Sequence, residues 1–205
     1  VGIVINLELT WNDHVDYTVK RVNAVIWQLS RFKQLGADRE RLITFYILKI
    51  RSILMFGAVC FHSSLTQENS RRLELQQKRS LACILGLEYR SYNHALSLTS
   101  LPRLDDLRGE ACLKWAVKTQ ANPQHKDLFP LNPSSVETRH KKEFKEYFCR
   151  TLKFCKSAVP SMVRAMNNEN IQPAGKPVSL SKPLCSPVVV NDDSPSTSLD
   201  EITDC

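Results

Sequence analysis

Glycine is scarce in this chain, with six among 205 residues. They are widely separated, so no phosphate-cradling loop of the P-loop or dinucleotide-binding kind exists. The seven cysteines (60, 83, 112, 149, 155, 185 and 205) contain no Cys-x-x-Cys pair, and their number is odd. That arithmetic argues against a disulfide framework and favours a reducing compartment, so an intracellular setting, nucleus or cytoplasm, is expected. Cys60, Cys83 and Cys112 fall inside apolar helical patterns, where a free thiol behaves as a small hydrophobe. Cys149 and Cys155, with His140 upstream, sketch a partial zinc site whose spacing matches no common template. Long apolar runs are also missing. The longest, Ile53 to Phe61, has nine residues, against the roughly 20 that a span needs, so no membrane partner is expected. The opening Val1-Gly2-Ile3-Val4-Ile5 lacks a basic region and a small-residue cleavage site, and a secretory signal is not expected. No internal repeat is visible. No Ser–His–Asp or Cys–His grouping can be assembled from spacing, and His14 and His62 read as capping or packing residues.

What is present is positive charge, unevenly placed. Lys and Arg total 28 against 21 Asp and Glu, a formal net charge of +7. Residues 1–166 carry +11 and residues 167–205 carry −4. A basic body with an acidic tail makes a polyanion the first partner to consider.

Helical periodicity dominates the body. Val15, Val19, Val22, Ile26 and Leu29 step by four and three, a one-sided stripe behind a cap at Asn12 or Asp13, with Gly36 placed to end the helix. Asp38 can cap a second helix through Leu42, Tyr46, Ile50 and Leu54, apolar over much of its circumference, with Gly57 at a crossing or end. Thr66 opens a third, closed by Gly86. Ser91 starts a short helix, and Pro102 suits the first turn of another, running to the Asn122-Pro123 stop. Asp105-Asp106 then falls in a first helical turn, where acids favour the helix dipole. Ser157 to Met166 fits a last short helix. Gly2-Ile3-Val4-Ile5 and Leu7-Glu8-Leu9-Thr10 read as strand. The Pro/Ser-rich acidic segment from Asn167 is too polar to offset chain entropy. The expected fold is mainly α: a small helical bundle with a short N-terminal β-strand or hairpin and a disordered C-terminal tail.

The order of these pieces resembles a known family. Gly2-Ile3-Val4-Ile5 followed by Leu9-Thr10-Trp11-Asn12-Asp13-His14-Val15 is similar to a segment of non-LTR (LINE-type) retrotransposon reverse transcriptases, the jockey-like branch above all. Ile53-Leu54-Met55-Phe56-Gly57 resembles its "(V/I)LEYG" block, and Phe61-His62-Ser63-Ser64-Leu65-Thr66 its "WHSSLT" block. Leu73-Glu74, with Gln77-Lys78-Arg79-Ser80-Leu81, resembles "LE-x-x-QKRAL". His125 to Leu131 and Ser157-Ala158-Val159-Pro160 resemble downstream blocks. The likeness covers about residues 1–166. Met55, Phe56 and Phe61 depart from the family's Glu, Tyr and Trp while keeping apolar bulk.

The resemblance implies four regions. Residues 1–12 would be a remnant strand of the palm and primer grip, and 13–122 a helical thumb-like domain. Residues 123–166 would be a basic and aromatic C-terminal region, and 167–205 the disordered tail. It also implies that the metal-binding Asp pair lies upstream of Val1. The chain alone would then be no enzyme and hold no cofactor, since Mg²⁺ is expected only in an intact parent RNA-directed DNA polymerase. Partners would be an RNA/DNA duplex or single-stranded nucleic acid, and the missing palm and fingers if the frame extends upstream.

On the third helix Arg71, Arg72, Lys78 and Arg79 repeat at a spacing of seven, which stacks them pairwise on one face. Such a face can hold a duplex by its backbone without reading bases. Four phosphate contacts would give a salt slope of about −3.6 on B-DNA. Lys20-Arg21 on the first helix, and Lys141-Lys142 with Lys145, Arg150 and Lys153 among Phe144, Tyr147, Phe148 and Phe154, are further candidates; the latter mixture suits single strands, and equally suits aromatics that plug the helical body while the lysines stay in water. Two other readings fit the same residues: a non-enzymatic helical interaction module with a solvated basic face, and a non-functional relic of a transposable element.

Overall fold

The computed structural model describes residues 2–8, 10–133 and 142–169. Helices account for nearly all regular structure. α1 runs Asn12–Gln34, α2 Arg39–Phe45, α3 Ser52–Met55, α4 Ala58–Phe61 and α5 Gln67–Leu85. α6 runs Tyr92–Thr99, α7 Leu104–Gln120, α8 Leu152–Cys155 and α9 Ala158–Asn168. Among the described residues no strand forms, only an isolated bridge between Leu131 and Phe144.

The boundaries follow local chemistry. Asp38, Thr66 and Ser91 each accept a backbone N–H from three residues ahead, at 2.8, 3.2 and 3.2 Å, and so cap α2, α5 and α6. Gly36 and Gly57 take positive φ at the helix ends, +86° and +71°. A side chain at Gly57 would also collide with Ile3, whose Cδ1 lies 2.7 Å from where a Cβ would stand. Between α2 and α3 the helix widens into a π-helical stretch, Tyr46–Arg51, with Tyr46 and Ile50 fully buried.

α1 and α5 lie side by side and run parallel. Asn12 meets Asn69, Asp16 meets Arg72 and Asn23 meets Arg79, in rising order on both helices. At the far end Lys33 donates to the carbonyls of Cys83 and Ile84 at 2.7 and 3.0 Å, neutralising the terminal carbonyls of α5. The α2–α3 segment packs across this pair. Val15, Val22, Leu29, Leu42, Ile50, Leu73 and Leu81 form the first core with α6. Arg39–Ser64 is by length and composition apolar enough to cross a membrane. It bends at Phe56–Gly57, and its Leu42, Tyr46, Ile50, Leu54 and Phe61 are buried in this core.

A second core joins Cys112 and Ala116 of α7, Phe129, Phe144, and Met162, Val163 and Met166 of α9. α7 therefore shares its core with residues beyond 122, although the sequence groups it with the preceding helices. Phe129 and Phe144 come from irregular segments and are 1% exposed. Arg108 is fully buried on α7 and donates to Ser70 and Asp105 at 2.8 and 2.9 Å.

Four expectations need correction. Neither Asn12 nor Asp13 caps α1: both lie inside the helix, and Trp11 stands at its N-cap without a side-chain hydrogen bond. The strand read over residues 1–10 does not form among the described residues 2–8 and 10: residues 2–6 are irregular, Val4 donates its N–H to His14, and Ile3 lies on Gly57. A β-branched run with no partner strand has nowhere to place its ladder hydrogen bonds. Pro102 precedes α7 by two residues instead of sitting in its first turn. Asn167, placed in the tail by composition, belongs to α9 and exchanges two 3.0 Å hydrogen bonds with the Phe144 backbone. The rest of the expected disordered tail, residues 170–205, lies outside the described residues.

Candidate nucleic-acid interface

α5 turns three faces to three neighbours. Its buried polar side holds Gln77 and Glu74. Gln77 accepts from Tyr46 at 2.8 Å and donates to the Pro102 carbonyl at 2.9 Å, while Glu74 accepts from the Tyr92 hydroxyl and the Leu104 N–H. This network fixes the helix against the π-helical stretch, α6 and the start of α7. The exposed side carries Arg71, Arg72, Leu75, Lys78 and Arg79, none of them buried, with Lys78 at its edge one turn after Glu74.

These four cations are not equivalent. Arg72 is ion-paired with Asp16 of α1. Arg79 holds Asn23 at 3.4 Å, a weak contact that leaves its charge uncompensated. Lys78 stands 4.9 Å over the Tyr92 ring, with Arg103 at 5.9 Å on the same ring. Arg71 is exposed, with no ion pair among the described residues. Seven residues along a helix is a rise of about 10.5 Å, which corresponds to about three base steps on one strand. The spacing read from sequence is therefore present, but α1 has taken one of the four charges. Asp16 and Arg72 are 56 residues apart, a pairing that periodicity cannot reveal.

On α1, Lys20 is exposed, and Arg21 lies 5.5 Å over the Tyr17 ring. Arg31 repeats that arrangement over Trp27, also at 5.5 Å, and Trp27 is 63% exposed. Sequence reading missed this second pair, although an aromatic residue four before an arginine on a helix is a readable signal. Lys142 pairs with Glu146 at 2.9 Å and sits beside the second core. Lys141 lies outside the described residues. Phe144 is core, whereas Phe148 and Phe154 are 87% and 45% exposed. Phe144 and Lys142 are thus separated from Lys153, Phe154 and Lys156, and the segment 142–156 does not form a single platform that includes the predicted Lys142.

The acid pair in α7 is tied up structurally. Asp105 accepts from Arg108 and from Ser70, and Asp106 follows it in the first helical turn. Burial pushes the Asp105 carboxyl up, but the Arg108 guanidinium outweighs it and holds the group below its usual range. His62 and His14 are both shifted below the usual histidine value. Burial is the first cause for each, and for His62 the Arg108 charge adds to it. His14 accepts the Val4 N–H and packs edge-on to Trp11. Cys60, Cys83, Cys112, Cys149 and Cys155 are free thiols. Among the described residues no three metal-ligating side chains converge. His140 of the sketched zinc site is outside them.

No family model, curated protein or solved structure matches the chain.

Proposed function

We propose that this chain holds a nucleic-acid duplex by its backbone and carries out no chemistry of its own, as the thumb-like part of a non-LTR reverse transcriptase would. The observation that carries the reading is the exposed side of α5. Arg71, Lys78 and Arg79 are free of ion pairs among the described residues there, at a spacing that suits phosphates, and Lys20 lies on the neighbouring parallel helix. The buried Gln77–Glu74 network supports it, because a rigid helix presents its charges at fixed separations. The family resemblance supplies the partner, an RNA/DNA duplex, and assigns Mg²⁺ to carboxylates of the parent polymerase. Asp105 and Asp106 do not fit that role, since Asp105 is committed to Arg108.

Anisotropy titration with a fluorescent RNA/DNA hybrid tests the reading. The wild type binds at low salt, and the variant with Arg71, Arg72, Lys78 and Arg79 all changed to Gln does not. Equal binding by the two removes the role given to α5. A helical interaction module is the second reading, favoured by Leu35 and Leu87, 85% and 105% exposed. They flank the end of the α1–α5 pair where Lys33 meets α5. It predicts no hybrid affinity at low salt, and self-association that Leu35→Asp abolishes.

A further inference from the structure

A cavity of about 680 Å³ opens between the two cores. Its walls come from chain segments far apart in sequence: the start of α1, the loop before α5, and the stretch from Thr151 into α9. Among the described residues no carboxylate lines it. Lys153 and Lys156 do, and both are exposed. Lys153 gives one N–H to the Glu8 carbonyl and keeps two, while the Lys156 ammonium has no partner among the described residues. Two aromatic rings complete the lining, and both are braced from behind. Trp11 packs on His14 and Phe61, with centroids 6.0 and 5.8 Å away. Phe154 meets Tyr147 edge-on at 6.4 Å. Thr10, Asn12 and Thr66 add hydroxyl and amide groups to the same walls.

Rigid aromatic faces, neutral hydrogen-bonding groups and uncompensated ammonium groups are together the chemistry that takes a base and its phosphate. We propose that this cavity binds a phosphorylated nucleoside, with the base against Trp11 and Phe154 and the phosphate on Lys153 and Lys156. The ligand is either a free mononucleotide or the phosphorylated end of a strand. The proposal does not rest on the duplex-holding reading, and it stands if the exposed side of α5 binds nothing.

Cys60 lines the same cavity and is exposed, so it reports occupancy. The experiment measures alkylation of Cys60 in the full chain by peptide mass spectrometry. Four probes are used: adenosine monophosphate, a short 5′-phosphorylated oligonucleotide, its 5′-hydroxyl twin, and inorganic phosphate. The expected result is slowed alkylation with a phosphorylated probe and about tenfold weaker protection by the hydroxyl twin, since a charge-assisted contact is lost. Protection by the mononucleotide identifies a free ligand, and protection by the oligonucleotide alone identifies a strand end. Lys156→Glu should abolish protection while circular dichroism stays unchanged, because this exposed side chain makes no hydrogen bond or ion pair among the described residues. The variant with Arg71, Lys78 and Arg79 changed to Gln should keep protection, which separates this site from the α5 face. Equal protection by the hydroxyl twin, full protection by inorganic phosphate alone, or no effect of Lys156→Glu would overturn the proposal.

Discussion

Asp16 is the residue whose loss should strengthen nucleic-acid binding. Its carboxylate neutralises Arg72 at the edge of the exposed side of α5, leaving Arg71, Lys78 and Arg79 as the cations available to phosphate. Three such contacts contribute a salt slope of about −2.7 on a DNA duplex. Asp16→Asn releases the fourth and steepens that contribution to about −3.6. Between about 50 and 200 mM salt, the variant should therefore lose roughly 3.5 times more affinity than the wild type does. The pair is solvent-exposed, with side chains 34% and 50% accessible. Its removal should cost stability only about 0–1 kcal/mol, so a changed fold is not the explanation. The assay is anisotropy of a labelled hairpin duplex across a salt series, with melting followed in parallel. Asp127→Asn, on the other core, controls for the change in net charge. An Asp16→Asn slope equal to wild type, or shared by Asp127→Asn, refutes the geometry assigned to Arg72.

Stability yields further tests. Gln77→Leu removes the acceptor of the buried Tyr46 hydroxyl and the donor to Pro102. The expected loss is about 3 kcal/mol, a fall in Tm on the order of 10 °C, and calorimetry reading less than a third of that would show the network to be incidental. Phe129→Ala empties the centre of the second core and should cost about 3–4 kcal/mol although the residue lies in a loop; a surface-like cost in urea unfolding would contradict its burial. His14 and His62 are shifted below 6.5, so below that pH the unfolded chain binds more protons than the folded one. Stability should fall as pH drops from about 6.5 towards 5. His62→Gln should flatten part of that fall, and an unchanged pH profile would exclude His62 as a contributor.

Much of the fold is legible because helix ends are local events. Asp38, Thr66 and Ser91 announce their helices by side chains that reach three residues ahead. The stripe from Val15 to Leu29 required a partner, but nothing in it named α5 or the parallel direction. The β-branched residues at the start carry strand propensity without a strand to pair with, and Ile3 is drawn instead to the space above Gly57. Phe129 was illegible as core, since it sits alone in an aperiodic segment, whereas the aromatic run from Phe144 to Phe154 allowed a core role without saying that Phe144 takes it and Phe148 does not. The site divides the same way. The heptad spacing of Arg71, Arg72, Lys78 and Arg79 is sequence information. The loss of Arg72 to Asp16, the stacking of Lys78 on Tyr92, and the meeting of Trp11 with Lys156 in one cavity are products of tertiary packing.

Where a polyanion touches the molecule is the most direct question to ask of it. Lysine acetylation footprinting with and without an RNA/DNA hybrid, read by mass spectrometry, answers it at single residues. Protection of Lys20 and Lys78, with Lys118 and Lys142 left reactive, is the predicted pattern. Protection of Lys118 and Lys142 with Lys20 and Lys78 unchanged would place the nucleic acid elsewhere and contradict the account.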